Sequence, residues 1–132
     1  MGEMSENAYQ ILVVDDEPSI CEALAMGLTS QKFMVDVARN GEVGVQLACT
    51  GKYDILIADL ALPDMIGIEV IRRIKGKHPE IIPLVITAYP TEEGRREARQ
   101  SGVTQFVEKP FTLNAIKAAV MQALAVRDDA GK

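Results

Sequence analysis

A chain of 132 residues with 48% hydrophobic side chains has the length of one domain and enough apolar mass for a core without disulfides. Its formal net charge of −5 argues against direct binding of nucleic acid by this domain, because that affinity comes from Lys and Arg neutralising phosphates. No apolar run approaches the roughly 18 residues of a membrane span, the first residues (MGEMSENAYQ) lack the apolar centre of a signal peptide, and Cys21 and Cys49 lack metal-ligand spacing, so the expectation is a cytoplasmic protein with no membrane partner and two reduced, buried thiols.

The first expected element is a strand over Ile11 to Val14, which runs directly into Asp15 and Asp16 (ILVVDD). Adjacent carboxylates raise each other's pKa unless a cation lies close, so positive charge is expected at this strand end. Pro18 or Ser19 then starts a helix whose apolar positions Ile20, Ala23, Leu24, Gly27 and Leu28 follow helical spacing. A strand over Met34 to Ala38 leads to a helix from Gly41 to Cys49, with Val43, Leu47 and Ala48 on one side. The third strand, Ile55 to Ala58, ends on Asp59, and the helix after it, Gly67 to Lys75, carries Val70, Ile71 and Ile74. The fourth, Leu84 to Ile86, delivers Thr87. The helix that follows, Thr91 to Ser101, is polar, holds three arginines (Arg95, Arg96, Arg99) on what reads as a solvated face, and is stopped by Gly102. Gly94 inside it costs up to about 1 kcal/mol relative to Ala, so this helix is expected to be weak. The fifth strand, Gln105 to Val107, delivers Lys109, and Leu113, Ile116, Val120 and Leu124 stripe the last helix. The domain is expected over residues 8–126, with Met1 to Asn7 and Arg127 to Lys132 as flexible ends.

Five strands alternating with five helices imply an α/β domain, a doubly wound parallel sheet with right-handed crossovers. Ligands of such sheets bind beyond the carboxyl ends of the strands. There the sequence delivers Asp15, Asp16, Asp59, Thr87 and Lys109. Singly, each reads as a cap, a turn former or a solvated charge. Together, three carboxylates on one rim suit a hard divalent cation, and Mg²⁺, which keeps several waters, is the natural candidate.

The motifs VVDDEP, ILIADLALPD, VITAY and FVEKPF, in this order and at these spacings, resemble the receiver domain of bacterial two-component response regulators, of the chemotaxis-receiver type, over about residues 9–126. The resemblance implies a flavodoxin-like sheet of order 2-1-3-4-5 with five helices. It implies Asp59 as the phosphoacceptor, with Thr87 and Lys109 completing the catalytic set. Mg²⁺ would be held by Asp16, Asp59 and the backbone carbonyl of Ala61, with Asp15 acting mainly through water. Thr87 and Phe106 would form the switch, Ala61 and Tyr89 would set the lifetime of the phosphoryl group, and Lys109-Pro110 would be a cis peptide. The implied partners are a sensor histidine kinase as donor, an effector domain or downstream protein as output, and a second copy in a phosphorylation-dependent homodimer. Such a domain promotes only its own phosphotransfer and autodephosphorylation. The competing reading is a small Mg²⁺-dependent aspartyl-phosphate hydrolase, but those enzymes place a DxD nucleophile on the first motif strand, whereas the doublet here is contiguous. Ile66, where the family commonly has an acid, and Pro90, which biases Tyr89 to an extended conformation, depart from the pattern.

Overall fold

The computed structural model describes residues 8–130, with side chains to Arg127. Strand β1 (Tyr9–Val14) is followed by α1 (Pro18–Leu28), β2 (Phe33–Ala38), α2 (Gly41–Thr50), β3 (Ile55–Asp59), α3 (Gly67–Lys77), β4 (Ile82–Thr87), α4 (Glu92–Gln100), β5 (Gln105–Glu108) and α5 (Leu113–Ala130). All strands are parallel, in the order β2-β1-β3-β4-β5. Every expected strand and helix is present, and the fold is the doubly wound one.

Side chains alternate across a strand, so each central strand feeds two cores. Leu12, Val14, Leu56, Ala58 and Val85 face α2, α3 and α4, where Ala48, Val70, Ile71, Ile74 and Ala98 meet them. Ile11, Val13, Ile55, Ile57, Leu84 and Ile86 face α1 and α5, packed on Leu24, Leu28, Ile116, Val120 and Leu124. Burial on both faces is why these strands read as unbroken apolar runs rather than alternating ones. It also fixes the register of β1 on β3 (Ile11 to Val14 opposite Ile55 to Ala58), which sets Asp15 and Asp59 at the same end of the sheet.

Three expectations need correction. The fourth strand starts at Ile82, before the expected Leu84, and includes Pro83. Pro lacks a donor, and β5 pairs with β4 only from Leu84 onward, so Pro83 sits where one side of β4 has no neighbour. The last helix does not stop at Val126: it runs to Ala130, and Arg127, expected in a flexible end, pairs with Asp54 at 3.4 Å and lies 5.7 Å over the Tyr9 ring. The expected flexible ends Met1 to Asn7 and Gly131 to Lys132 lie outside the described residues. Cys21 is buried as expected, but Cys49 is exposed on the outer side of α2, next to the inward Ala48.

Helix α4 buries only Ala98. Thr91 caps it by accepting from the Gly94 N–H at 2.9 Å. A Cβ at Gly94 would stand 2.9 Å from that same Thr91 Oγ1, which gives the glycine a local reason. Of its arginines, Arg95 is not simply solvated: its guanidinium lies 5.3 Å over the Phe106 ring and donates to Glu108 at 3.1 Å.

Candidate functional site

The rim above β1, β3, β4 and β5 collects the expected residues, and Glu17 joins them. Successive residues at a strand end point to opposite sides. Asp15 accordingly turns inward and is fully buried, while Asp16 is exposed. The carboxylate oxygens that converge within 4.8 Å are those of Asp15, Glu17 and Asp59, not Asp16. Sequence reading missed Glu17. The available signal was a third acid in DDEP, but its side chain joins the site only by reaching across the rim.

Lys109, delivered by β5 and preceding a cis peptide to Pro110, supplies the expected positive charge. Its Nζ lies 2.8 Å from Asp59 Oδ2, 2.6 Å from Glu17 Oε1 and 2.9 Å from Asp15 Oδ2, and its side chain is 9% exposed. Burial presses the lysine pKa down, but the adjacent carboxylates of Asp59, then Glu17 and Asp15, outweigh it, and the ammonium is held well above the ordinary lysine range. Asp15 is pushed up from the usual carboxylate value by burial, more than the Glu17 N–H and Lys109 restore. The same burial, with Asp15 beside it, raises the Cys21 thiol, which donates to the Asp15 carbonyl at 3.1 Å.

Asp59 is 5% exposed and is steadied by the Ala61 N–H, which donates to Oδ1 at 3.0 Å. The loop after it folds back tightly, with Gly67 N–H donating to the Leu60 carbonyl at 2.8 Å. Only glycine permits that approach, because a Cβ at Gly67 would strike the Asp59 carbonyl oxygen. Asp64, also in this loop, accepts from the Gly41 and Glu42 N–H groups at 2.8 Å each, satisfying donors at the start of α2. Those two bonds hold its carboxyl below the usual range.

Thr87 is buried at the end of β4, and its Oγ1 accepts from the Tyr89 N–H at 3.1 Å. Tyr89 itself is 81% exposed. Phe106 is half-buried, packed on the core face that includes α4.

A divalent ion fits these residues. Even with Lys109 at ion-pair distance, the buried Asp15 Oδ2 has no hydrogen-bond partner. Two more carboxylates stand beside it, and a hard cation with its waters would satisfy such oxygens.

Residues 11–121 match the family of the response regulator receiver domain. The chain belongs to that family. It is 36% identical over 115 residues to the transcriptional regulatory protein CusR of Escherichia coli K12, covering 87% of this chain and 51% of that one. It is 35% identical over 118 residues to the transcriptional regulatory protein QseB of Haemophilus influenzae, covering 89% and 53%. The receiver therefore spans about half the length of these curated relatives. Its fold superposes with a TM-score of 0.88 on a receiver domain from Methanospirillum hungatei, at 20% identity and covering 93% and 98% of the two chains. Receivers of this family act as phosphoacceptors in two-component signalling, and membership does not favour the hydrolase alternative. Among the described residues, no helix of the receiver is long and apolar enough to cross a membrane.

Proposed function

We propose that this receiver accepts a phosphoryl group on Asp59 from a sensor histidine kinase and passes the change, through Thr87 and Phe106, to an effector domain, a downstream protein or a second copy. The observation that carries the reading is the Asp59–Lys109 contact of 2.8 Å at the carboxyl end of the sheet, with the buried Asp15 on the same ammonium. An Asp59 carboxylate oxygen attacks the phosphorus, and the bond from phosphorus to the donor, a kinase histidine nitrogen or an acyl oxygen, breaks. Such transfer gains chiefly from positioning and electrostatics. The Ala61 N–H orients the carboxylate, and Lys109 meets the charge that arrives. Mg²⁺, when bound, neutralises phosphoryl charge. Asp59, Asp16 and the Ala61 carbonyl would hold it, with Asp15 acting through water.

Phosphorylation adds nearly two negative charges and three acceptor oxygens. The Thr87 hydroxyl donates to one of them, which draws on the loop that ends in Tyr89 and opens the way for Phe106 to turn inward. Loss of the phosphoryl group by water attack is slow, because Ala61 presents only a methyl group and orients no nucleophile. Tyr89, exposed at rest, is free to swing over the approach. Autodephosphorylation is thus the only turnover expected of the domain.

Intact mass after incubation with an acyl phosphate tests this. With Mg²⁺ the wild type should gain one phosphoryl group per chain, and chelation or Asp59→Asn should abolish the gain. A full mass shift in Asp59→Asn would overturn the assignment.

A further inference from the structure

Glu17 is the N-cap residue of α1, yet its side chain makes no capping hydrogen bond. Ser, Thr, Asp and Asn are the residues that cap well, so a glutamate here is locally a poor choice. Its backbone is pinned by donation to Asp15 Oδ1 at 2.9 Å, and its carboxylate, 52% exposed, reaches over the rim to Lys109. A residue that breaks a local rule at a site usually serves the site.

The donors of Lys109 are divided in an order that burial does not predict. An ammonium has three N–H groups. Directed hydrogen bonds go to Glu17 at 2.6 Å and Asp59 at 2.8 Å, whereas Asp15 Oδ2, wholly buried, lies at 2.9 Å without one. A buried oxygen left without a hydrogen bond costs more than a half-exposed one that water can serve. Glu17 therefore takes up, from the solvent side, one of the donors that the buried acids would otherwise share.

We propose that Glu17 is a positioning residue that holds Lys109 in the resting receiver and competes with the phosphoryl group for it, so that it sets how readily Asp59 is phosphorylated. The inference rests on the reading of Asp59 as acceptor. A phosphoryl group on Asp59 needs a donor from the adjacent Lys109, and Glu17 holds the donor on the solvent side. Its carboxylate is also a like charge beside the arriving oxygens. Because Glu17 is half exposed, water takes it over when it leaves, and the exchange is readily reversible.

Two variants separate this role from the alternatives. Glu17→Gln keeps the size and removes the charge. Glu17→Asp keeps the charge and is a better helix cap, but it shortens the reach to Lys109, so a folding defect cannot imitate its effect. With saturating Mg²⁺, both should bind beryllofluoride, an unreactive phosphoryl mimic, about two- to fivefold more tightly than wild type, the range a half-exposed ion pair commands. Labelling by acyl phosphate, also at saturating Mg²⁺, should quicken by a similar factor. Weaker Mg²⁺ binding with slower labelling in Glu17→Gln would make Glu17 a metal ligand and overturn the proposal. Affinities equal to wild type, or Glu17→Asp behaving as wild type, would overturn it as well. Failure of the underlying reading shows separately, since the wild type would then neither label on Asp59 nor bind the mimic.

Discussion

At the ends of β1 and β3, the residues from Ile11 to Val14 and from Ile55 to Ala58 are wholly buried, and they lead into acids that share one lysine. On the neighbouring flank, α4 buries only Ala98, and Phe106 on β5 is half-buried under a single arginine. The two regions meet at one rim but differ in what holds them. Where packing fixes both faces, a group can be placed to within a fraction of an ångström, which phosphoryl chemistry requires. Where few apolar contacts oppose motion, a modest change in charge can shift the structure, which a readout requires. The proposed acceptor, Asp59, thus rests on the first kind of support, and the proposed switch residue Phe106 on the second.

Truncation on each side should sharpen this contrast. Ile57→Ala, at the centre of β3 and 0% exposed, should cost about 3–4 kcal/mol of unfolding free energy in urea titrations. Phe106→Ala, on the other flank, should cost only about 1–2 kcal/mol. It should leave Asp59 labelling intact while removing the phosphorylation-dependent change in partner or dimer affinity. Equal costs at the two positions would break the comparison.

The loop behind Asp59 contributes a smaller, pH-dependent amount. Asp64 titrates below its ordinary value of 3.8 because it accepts from Gly41 and Glu42. A depressed carboxyl pKa stabilises the fold above the unfolded value, and that stability is lost as pH falls through the folded value. Asp64→Ala should therefore melt earlier than wild type near neutral pH, with the gap closing below pH 3.8. A gap that persisted in acid would mean that the carboxylate is not its source. The smallest effect belongs to Gly94→Ala. A gain of about 1 kcal/mol in helix propensity is offset by the crowding of Thr91 Oγ1, so melting should move by no more than a degree or two.

These differences also mark how far the sequence could be read. The runs of Val, Ile and Leu reveal the central strands because burial on both faces leaves no alternation, and the acids and lysine at their ends follow from register. Pro83 concealed the start of β4 because its tolerance depends on a neighbour, β5, that begins one residue later. Glu17 and Asp64 were illegible for a related reason. Their partners, Lys109 and the first turn of α2, lie far along the chain, and nothing local distinguishes an acid that reaches across the fold from a solvated one. Arg127 looked like the start of a loose tail because Arg-Asp-Asp carries no apolar signal, yet Asp54 and the Tyr9 ring extend the helix past it. The exposure of Tyr89 depends on how the loop before α4 is held, which its own bulk does not reveal.

The division between a fixed acceptor and a movable readout is tested most directly by amide hydrogen exchange, measured with and without Mg²⁺ and beryllofluoride. At rest, amides of β1 and β3 should be the slowest to exchange and those of α4 among the fastest outside the ends. On binding the mimic, β1 and β3 should gain only the uniform protection that ligand binding confers on the whole fold, while the segment from Thr87 through α4 to Phe106 should change by a different amount. The same uniform change in α4 and β5 as in β1 and β3, or none in α4 and β5, would contradict the account.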